Sequence, residues 1–118
     1  RYEPLFNYAY KTKELAKTNH ISEVTEIMLQ KCSFGPMQVM LCVCRELGYT
    51  ATPLKLTDPE LSIKYGCKKL AELKGKYSKL TDVISAYNAG SVKNTGVYPN
   101  DKYVKKVVRL MSVLQEQL

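Results

Sequence analysis

The amino-acid sequence predicts an all-α domain, and three observations carry that expectation. Apolar residues recur at the three-to-four-residue spacing of a buried helix face through most of the chain. Stretches that alternate β-branched and polar residues, the mark of a half-buried strand, are missing. Glycines and prolines fall where helices would begin or stop.

In order, a first helix is expected over residues 5–17, where Leu5, Phe6, Ala9, Leu15 and Ala16 accompany Tyr8 and Tyr10. Ser22 offers an N-cap hydroxyl and Glu23 an acid in the first turn, so a short helix should run to about Lys31. Pro36 suits a first helical position, and a helix should follow over residues 36–47 with Gly48 as its stop. Residues 49–57 read as a loop. Asp58-Pro59-Glu60 combines a cap, a proline at the first position and an acid, and opens a helix over residues 59–79 through Leu61, Ile63, Tyr65, Cys67, Leu70, Leu73 and Tyr77. Thr81 is expected to cap a helix over residues 81–89, with Val83, Ile84, Ala86 and Tyr87 inward and Gly90 at the stop. Residues 91–100 are polar and should form a surface loop. Asp101 is expected to cap a last helix over residues 101–116, whose apolar stripe is Val104, Val107, Val108, Met111 and Leu114.

At 118 residues the chain has the size of a single domain with one core. It is 45% hydrophobic and 25% charged, within the ordinary globular range. The net charge of +7 favours polyanionic partners: nucleic acid, anionic lipid or the acidic polymers of a bacterial envelope. No apolar run reaches membrane-spanning length, and the first residues do not resemble a signal peptide. The first residue is Arg1 rather than Met, so a processed or trimmed product is expected. Cys32, Cys42, Cys44 and Cys67 form no Cys-x-x-Cys pair, and His20 is the sole histidine, so no metal site is expected. Cys42 and Cys44 point to different faces of a helix, and the four cysteines read as buried free thiols rather than a disulfide framework.

The order of several short runs is more informative than any of them alone. Gln30-Lys31-Cys32-Ser33-Phe34-Gly35-Pro36-Met37-Gln38-Val39-Met40 leads into Cys44-Arg45-Glu46-Leu47-Gly48, then Asp58-Pro59-Glu60 with Ile63 and Gly66, then Ala86-Tyr87-Asn88-Ala89-Gly90, then Tyr103-Val104. This succession resembles the transglycosylase domain of the soluble lytic transglycosylases and goose-type lysozymes, most closely its phage and prophage branch, from about Glu26 to Val108. The resemblance implies a lysozyme-like all-α transglycosylase domain spanning residues 1–118 without its N-terminal segment. It also implies cleavage of the β-1,4 bond between N-acetylmuramic acid and N-acetylglucosamine. In that chemistry one Glu serves as general acid and then base, the substrate's acetamido group supports the developing cation, and the sugar's 6-hydroxyl attacks to leave a 1,6-anhydro end. One enzyme carboxylate is enough for such a substrate-assisted route. No cofactor is implied. The expected partners are peptidoglycan glycan strands, without nucleic acid or membrane insertion. A monomer is expected, in the bacterial periplasm or envelope or associated with a phage.

The resemblance carries residue by residue onto Ser33, Met37 and Gln38, and onto Tyr87 and Asn88, as substrate-binding positions. The Tyr hydroxyl would orient the general acid and the Asn amide would donate to an acetamido oxygen. Glu60 matches a family position but also suits a helix start. The general acid departs from the pattern. The family's Glu lies in a run like Glu-Ser-x-x-Asn-Pro-x-Ala, which this chain lacks; in the prophage branch that run is followed closely by an Arg-Tyr-Glu-Pro segment, the residues Arg1-Tyr2-Glu3-Pro4 here. Either the usual Glu precedes Arg1, or Glu26 or Glu3 acts instead. Glu26 sits shortly before Gln30, Ser33 and Gln38, and Glu3 has Tyr2 and Phe6 as an apolar wall. The lysines from Lys64 to Lys79 read as a solvated face. Two further functions stand beside transglycosylation: a silent glycan-binding module with the same fold, and a true muramidase. A basic nucleic-acid-binding domain rests on charge alone, since no Arg/Lys-rich recognition helix with interleaved aromatics occurs.

Overall fold

A computed structural model describes residues 1–90, 92 and 97–117. Among these the chain is 63% helical, with six α-helices and one two-stranded sheet, a mostly α fold as the sequence predicts. It forms two compact units, Arg1–Lys69 and Leu70–Leu118. The expected loop over residues 91–100 lies partly outside the described residues.

The first unit begins with α1 (Thr12–Thr18), which packs against α2 (Glu23–Gln30). Ser22 caps α2 as expected, its hydroxyl accepting the Thr25 N–H at 3.1 Å. The helix expected from residue 5 starts only at Thr12. Gln30 explains the delay. Its side-chain amide accepts the Tyr10 N–H and donates to the Tyr10 carbonyl, each at 2.8 Å. Those backbone groups are then lost to a helix, and Lys11 takes a left-handed φ of 42° just before α1.

The second departure is a hairpin. The segment expected to be helical from Pro36 instead folds as β1 (Ser33–Phe34) antiparallel to β2 (Val39–Met40), with Ser33 opposite Met40. Gly35 (φ 70°) and Gln38 (φ 49°) both take left-handed conformations, which a helix start cannot contain. The helix that follows, α3 (Leu41–Glu46), is short, and Gly48 ends its final turn at φ 101°. Arg1–Glu3 runs antiparallel beside the hairpin: Tyr2 bridges Cys32, and the Ser33 N–H donates to the Arg1 carbonyl at 2.8 Å. A 3₁₀ turn, Pro53–Thr57, occupies the expected loop. It leads to Asp58, whose carbonyl accepts the Ser62 N–H at the start of α4 (Pro59–Lys76). The buried apolar residues of this unit include Leu15, Ala16, Val39, Leu41, Cys42, Cys44, Leu56 and the edge-on ring pair Tyr49 and Tyr65.

The unit boundary falls within α4, which ends at Lys76 rather than Lys79 because Lys79 is already extended as the N-cap of α5 (Leu80–Ala89). Thr81 is not the cap: it sits inside the helix, its hydroxyl hydrogen-bonded to the Tyr98 hydroxyl at 2.9 Å. Leu73, Val83 and Ala86 form the core of the second unit, with Leu70, Tyr77 and Tyr87 packed against it. The last helix, α6 (Asp101–Gln117), packs on α5. Asp101 lies in its first turn and pairs with Lys105 at 2.8 Å; the Asn100 carbonyl, one residue earlier, accepts the Val104 N–H.

Candidate active site

The hairpin brings Ser33, Met37 and Gln38 together in the first unit. The buried Ser33 hydroxyl donates to Gln38 Oε1 at 2.8 Å, and Gln38 Nε2 donates to the Gly35 carbonyl at 2.8 Å. The amide of exposed Gln38 is thereby held in one orientation, with an N–H and a lone pair left for a ligand. Ser33 caps no helix; it orients Gln38. Met37 is half-buried over α4, where a Cβ on Gly66 would meet its Cε at 2.6 Å. At Gly35 a Cβ would lie 2.6 Å from the Leu56 carbonyl and against the Ser62 side chain. Ser62, fully buried, accepts the Met37 N–H at 3.2 Å and donates to the Phe34 carbonyl at 3.4 Å. Small residues at 62 and 66, one turn apart on α4, thus let the hairpin turn seat on the helix.

Glu26, a candidate proton donor, has no exposed side-chain surface. Arg45 grips it with both prongs, Nε to Oε1 at 2.8 Å and Nη2 to Oε2 at 3.1 Å, and Gln30 Nε2 adds a bond to Oε1 at 3.0 Å. Arg45 Nη1 reaches the Tyr49 and Ala51 carbonyls at 3.1 and 2.7 Å. A general acid must come within hydrogen-bond reach of the bridging oxygen it protonates. A carboxylate enclosed and doubly paired in this way does not meet that requirement, and its geometry is that of a structural ion pair.

Glu3 is 39% exposed and pairs with Arg1 Nε at 2.7 Å. The Tyr2 hydroxyl turns to the Met28 sulfur at 3.9 Å, and Phe6 stands edge-on to Tyr8. Tyr8 itself donates to Glu46 through its hydroxyl, and this bond raises its pKa to about 12.

Tyr87 and Asn88 close α5 in the second unit. Tyr87 is half-buried against the Leu73, Val83 and Ala86 core; Asn88 is exposed. Asn100 organises this end: its Nδ2 donates to the Ser85 carbonyl at 3.1 Å and to Asn88 Oδ1 at 2.9 Å, while its Oδ1 accepts from the Ser85 hydroxyl at 2.7 Å. With Oδ1 of exposed Asn88 engaged, its amide nitrogen still carries two N–H donors. An open dent of about 160 Å³ bounded by Lys74, Tyr77, Ser78, Leu80 and Val83 contains none of the candidate residues. Glu60 is exposed in the first turn of α4. Lys64, Lys68, Lys74, Lys76 and Lys79 are exposed, Lys64 and Lys68 both above the Tyr65 ring. All four cysteines are free, as expected, but only Cys42 and Cys44 are buried, their thiols pushed up by burial to about 11 and about 12; Cys32 is half-buried and Cys67 exposed. Among the described residues no helix is long and apolar enough to cross a membrane.

Arg45, Ser62 and Asn100 are the organising residues that sequence reasoning passed over. Arg45 carries a signal, as a cation directly after the apolar run Leu41–Cys44 of α3; the other two carry none beyond small or polar character.

No curated protein and no solved structure matches this chain. A family model described as the transglycosylase SLT domain matches residues 9–107, most of its length, and takes in the hairpin, Arg45 and the Tyr87-Asn88 helix end. The chain therefore belongs to the transglycosylase SLT domain family, with the lysozyme-like fold and the lytic-transglycosylase-type, peptidoglycan-related function that membership carries.

Proposed function

We propose that this chain supplies the glycan-holding part of a lytic transglycosylase that cleaves the β-1,4 bond between N-acetylmuramic acid and N-acetylglucosamine in peptidoglycan. In the first unit, Gln38 donates a side-chain amide N–H to a sugar acetamido or hydroxyl oxygen and Met37 lies against a sugar face; in the second unit, Asn88 donates its amide to the glycan and Tyr87 orients the carboxyl that protonates the leaving oxygen. The observation that carries the reading is a pre-oriented amide in each unit, Gln38 fixed by Ser33 in the first and Asn88 held by Asn100 in the second. Fixed donors lose little on meeting a ligand.

The proton donor in this proposal is not Glu26, whose carboxylate is enclosed by Arg45 and Gln30. Glu3 is half-exposed and paired with Arg1. The reading favours a Glu joined to the chain ahead of Arg1, at the place the family resemblance assigns it. By itself the chain then binds N-acetylglucosamine oligomers or peptidoglycan and turns them over poorly, since loss of the proton donor removes roughly 10²–10⁴-fold of rate.

A turbidity assay on purified cell walls tests this. Residues 1–118 and the Glu26→Gln variant should both fail to clear walls, while a longer protein bearing the upstream Glu should clear them. Strong clearing by residues 1–118 that Glu3→Gln abolishes would move the role to Glu3, and loss only in a Glu26→Gln protein that circular dichroism shows to be folded would move it to Glu26. Mass spectrometry of the products separates the two reaction outcomes, because hydrolysis adds a water and anhydro formation does not.

A further inference from the structure

We infer that the buried Glu26–Arg45 pair is a positioning device for the hairpin that presents Gln38, an inference resting on the glycan-binding role proposed for Gln38. The hairpin strands are two residues each, too short to hold their own geometry. What fixes them lies at their base. The chain enters the hairpin three residues after Gln30, the last residue of α2, and leaves it directly into α3. The Leu41 N–H closes that base on the Cys32 carbonyl at 2.9 Å. The two helices flanking the base are joined by Glu26 from α2 and Arg45 from α3, through two parallel N–H···O bonds with no exposed surface on either side chain. A bidentate guanidinium–carboxylate pair fixes both distance and plane. Gln30 ties the same carboxylate to Tyr10, and Arg45 Nη1 ties it to the 49–51 loop. Every member is satisfied: among the described residues no buried side-chain nitrogen or oxygen lacks a partner.

Stability is a poor reason for such a pair, because well-packed apolar residues of similar volume commonly serve as well or better. Registry is the better one. A sliding apolar contact between α2 and α3 would let the hairpin base shift, and the Ser33–Gln38–Gly35 bonds that orient the Gln38 amide would shift with it.

The test compares residues 1–118 with the double variant Glu26→Leu/Arg45→Met. Thermal unfolding, the Gln38 side-chain amide resonances and their hydrogen exchange, and the affinity for N-acetylchitotetraose are measured on both. A positioning role predicts that the variant melts at or above the parent temperature. Its Gln38 amide should lose protection, and the oligosaccharide affinity should fall about tenfold or more, because a preorganised donor has been loosened. Unchanged Gln38 resonances and unchanged affinity would overturn the inference. If the parent has no affinity for the oligosaccharide, the glycan reading fails by itself, and the Gln38 amide signals alone decide on positioning. If the double variant does not fold, Glu26→Asp carries the same comparison, since it keeps the charge while withdrawing the carboxylate by one methylene.

Discussion

Gly35 and Glu26 show how much rests on single side chains in the first unit. Gly35 sits at φ 70° with Ser62 and the Leu56 carbonyl where a Cβ would go. Gly35→Ala should therefore destabilise the chain by about 2–4 kcal/mol, combining left-handed strain with overpacking against backbone. Urea unfolding reads the loss directly. Glu26→Ala strands a guanidinium that has no exposed surface, and should cost about 3–5 kcal/mol, more than removal of both partners together. The carboxylate at position 26 was legible in the sequence as a candidate, but its role was not. Arg45 lies 19 residues away, and no helical or strand period links positions that far apart. The same holds for Ser33 and Gln38: their residue types signalled a polar site, whereas the bond between them depends on the hairpin.

At the scale of elements, the long helices were readable and the short pieces were not. The helix expected at 101–116 agrees with α6 to within a residue because its apolar stripe persists over four turns. The hairpin escaped notice because a two-residue strand cannot display a period of two, and Pro36 beside apolar Met37, Val39 and Met40 imitates a helix start. α1 is shorter than its apolar pattern predicts because the competitor for its first backbone groups, Gln30, comes from another helix. Within α6 the stripe is unevenly used. Val104 is 3% exposed, whereas Leu114 is 59% exposed. Val104→Ala should then cost about 1–3 kcal/mol, and Leu114→Gln should stay within about 0.5 kcal/mol of the parent. Thermal melts of the two variants, with helicity followed by circular dichroism, check the contrast.

For the molecule as a whole, the clearest solution signature is alkaline. Burial pushes the Cys42 thiol from 9.0 to about 11 and the Cys44 thiol to about 12, and the Glu46 bond pushes Tyr8 from 10.0 to about 12. The unfolded chain sheds its thiol protons near pH 9, while the folded chain keeps them two units or more longer. The stability contributed by the neutral thiols is thus complete below pH 9 and drains away between pH 9 and about 12, with Tyr8 joining above pH 10. Urea midpoints should hold level to pH 9 and then fall, and a Cys42→Ala/Cys44→Ala variant should fall less steeply. At pH 8 a thiol reagent should modify exposed Cys67 rapidly and leave Cys42 and Cys44 untouched until the protein unfolds. The ion pair between α2 and α3 has a consequence of another kind, for descent. A lineage that mutates position 26 or 45 alone passes through a poorly folded intermediate, since the survivor is a buried charge without its mate. Drift at either site is blocked until the other moves, so the two positions should change together among relatives or not at all. An alignment of the family would show them as a linked pair, with Glu and Arg exchanged jointly for apolar residues wherever the hairpin has lost its task.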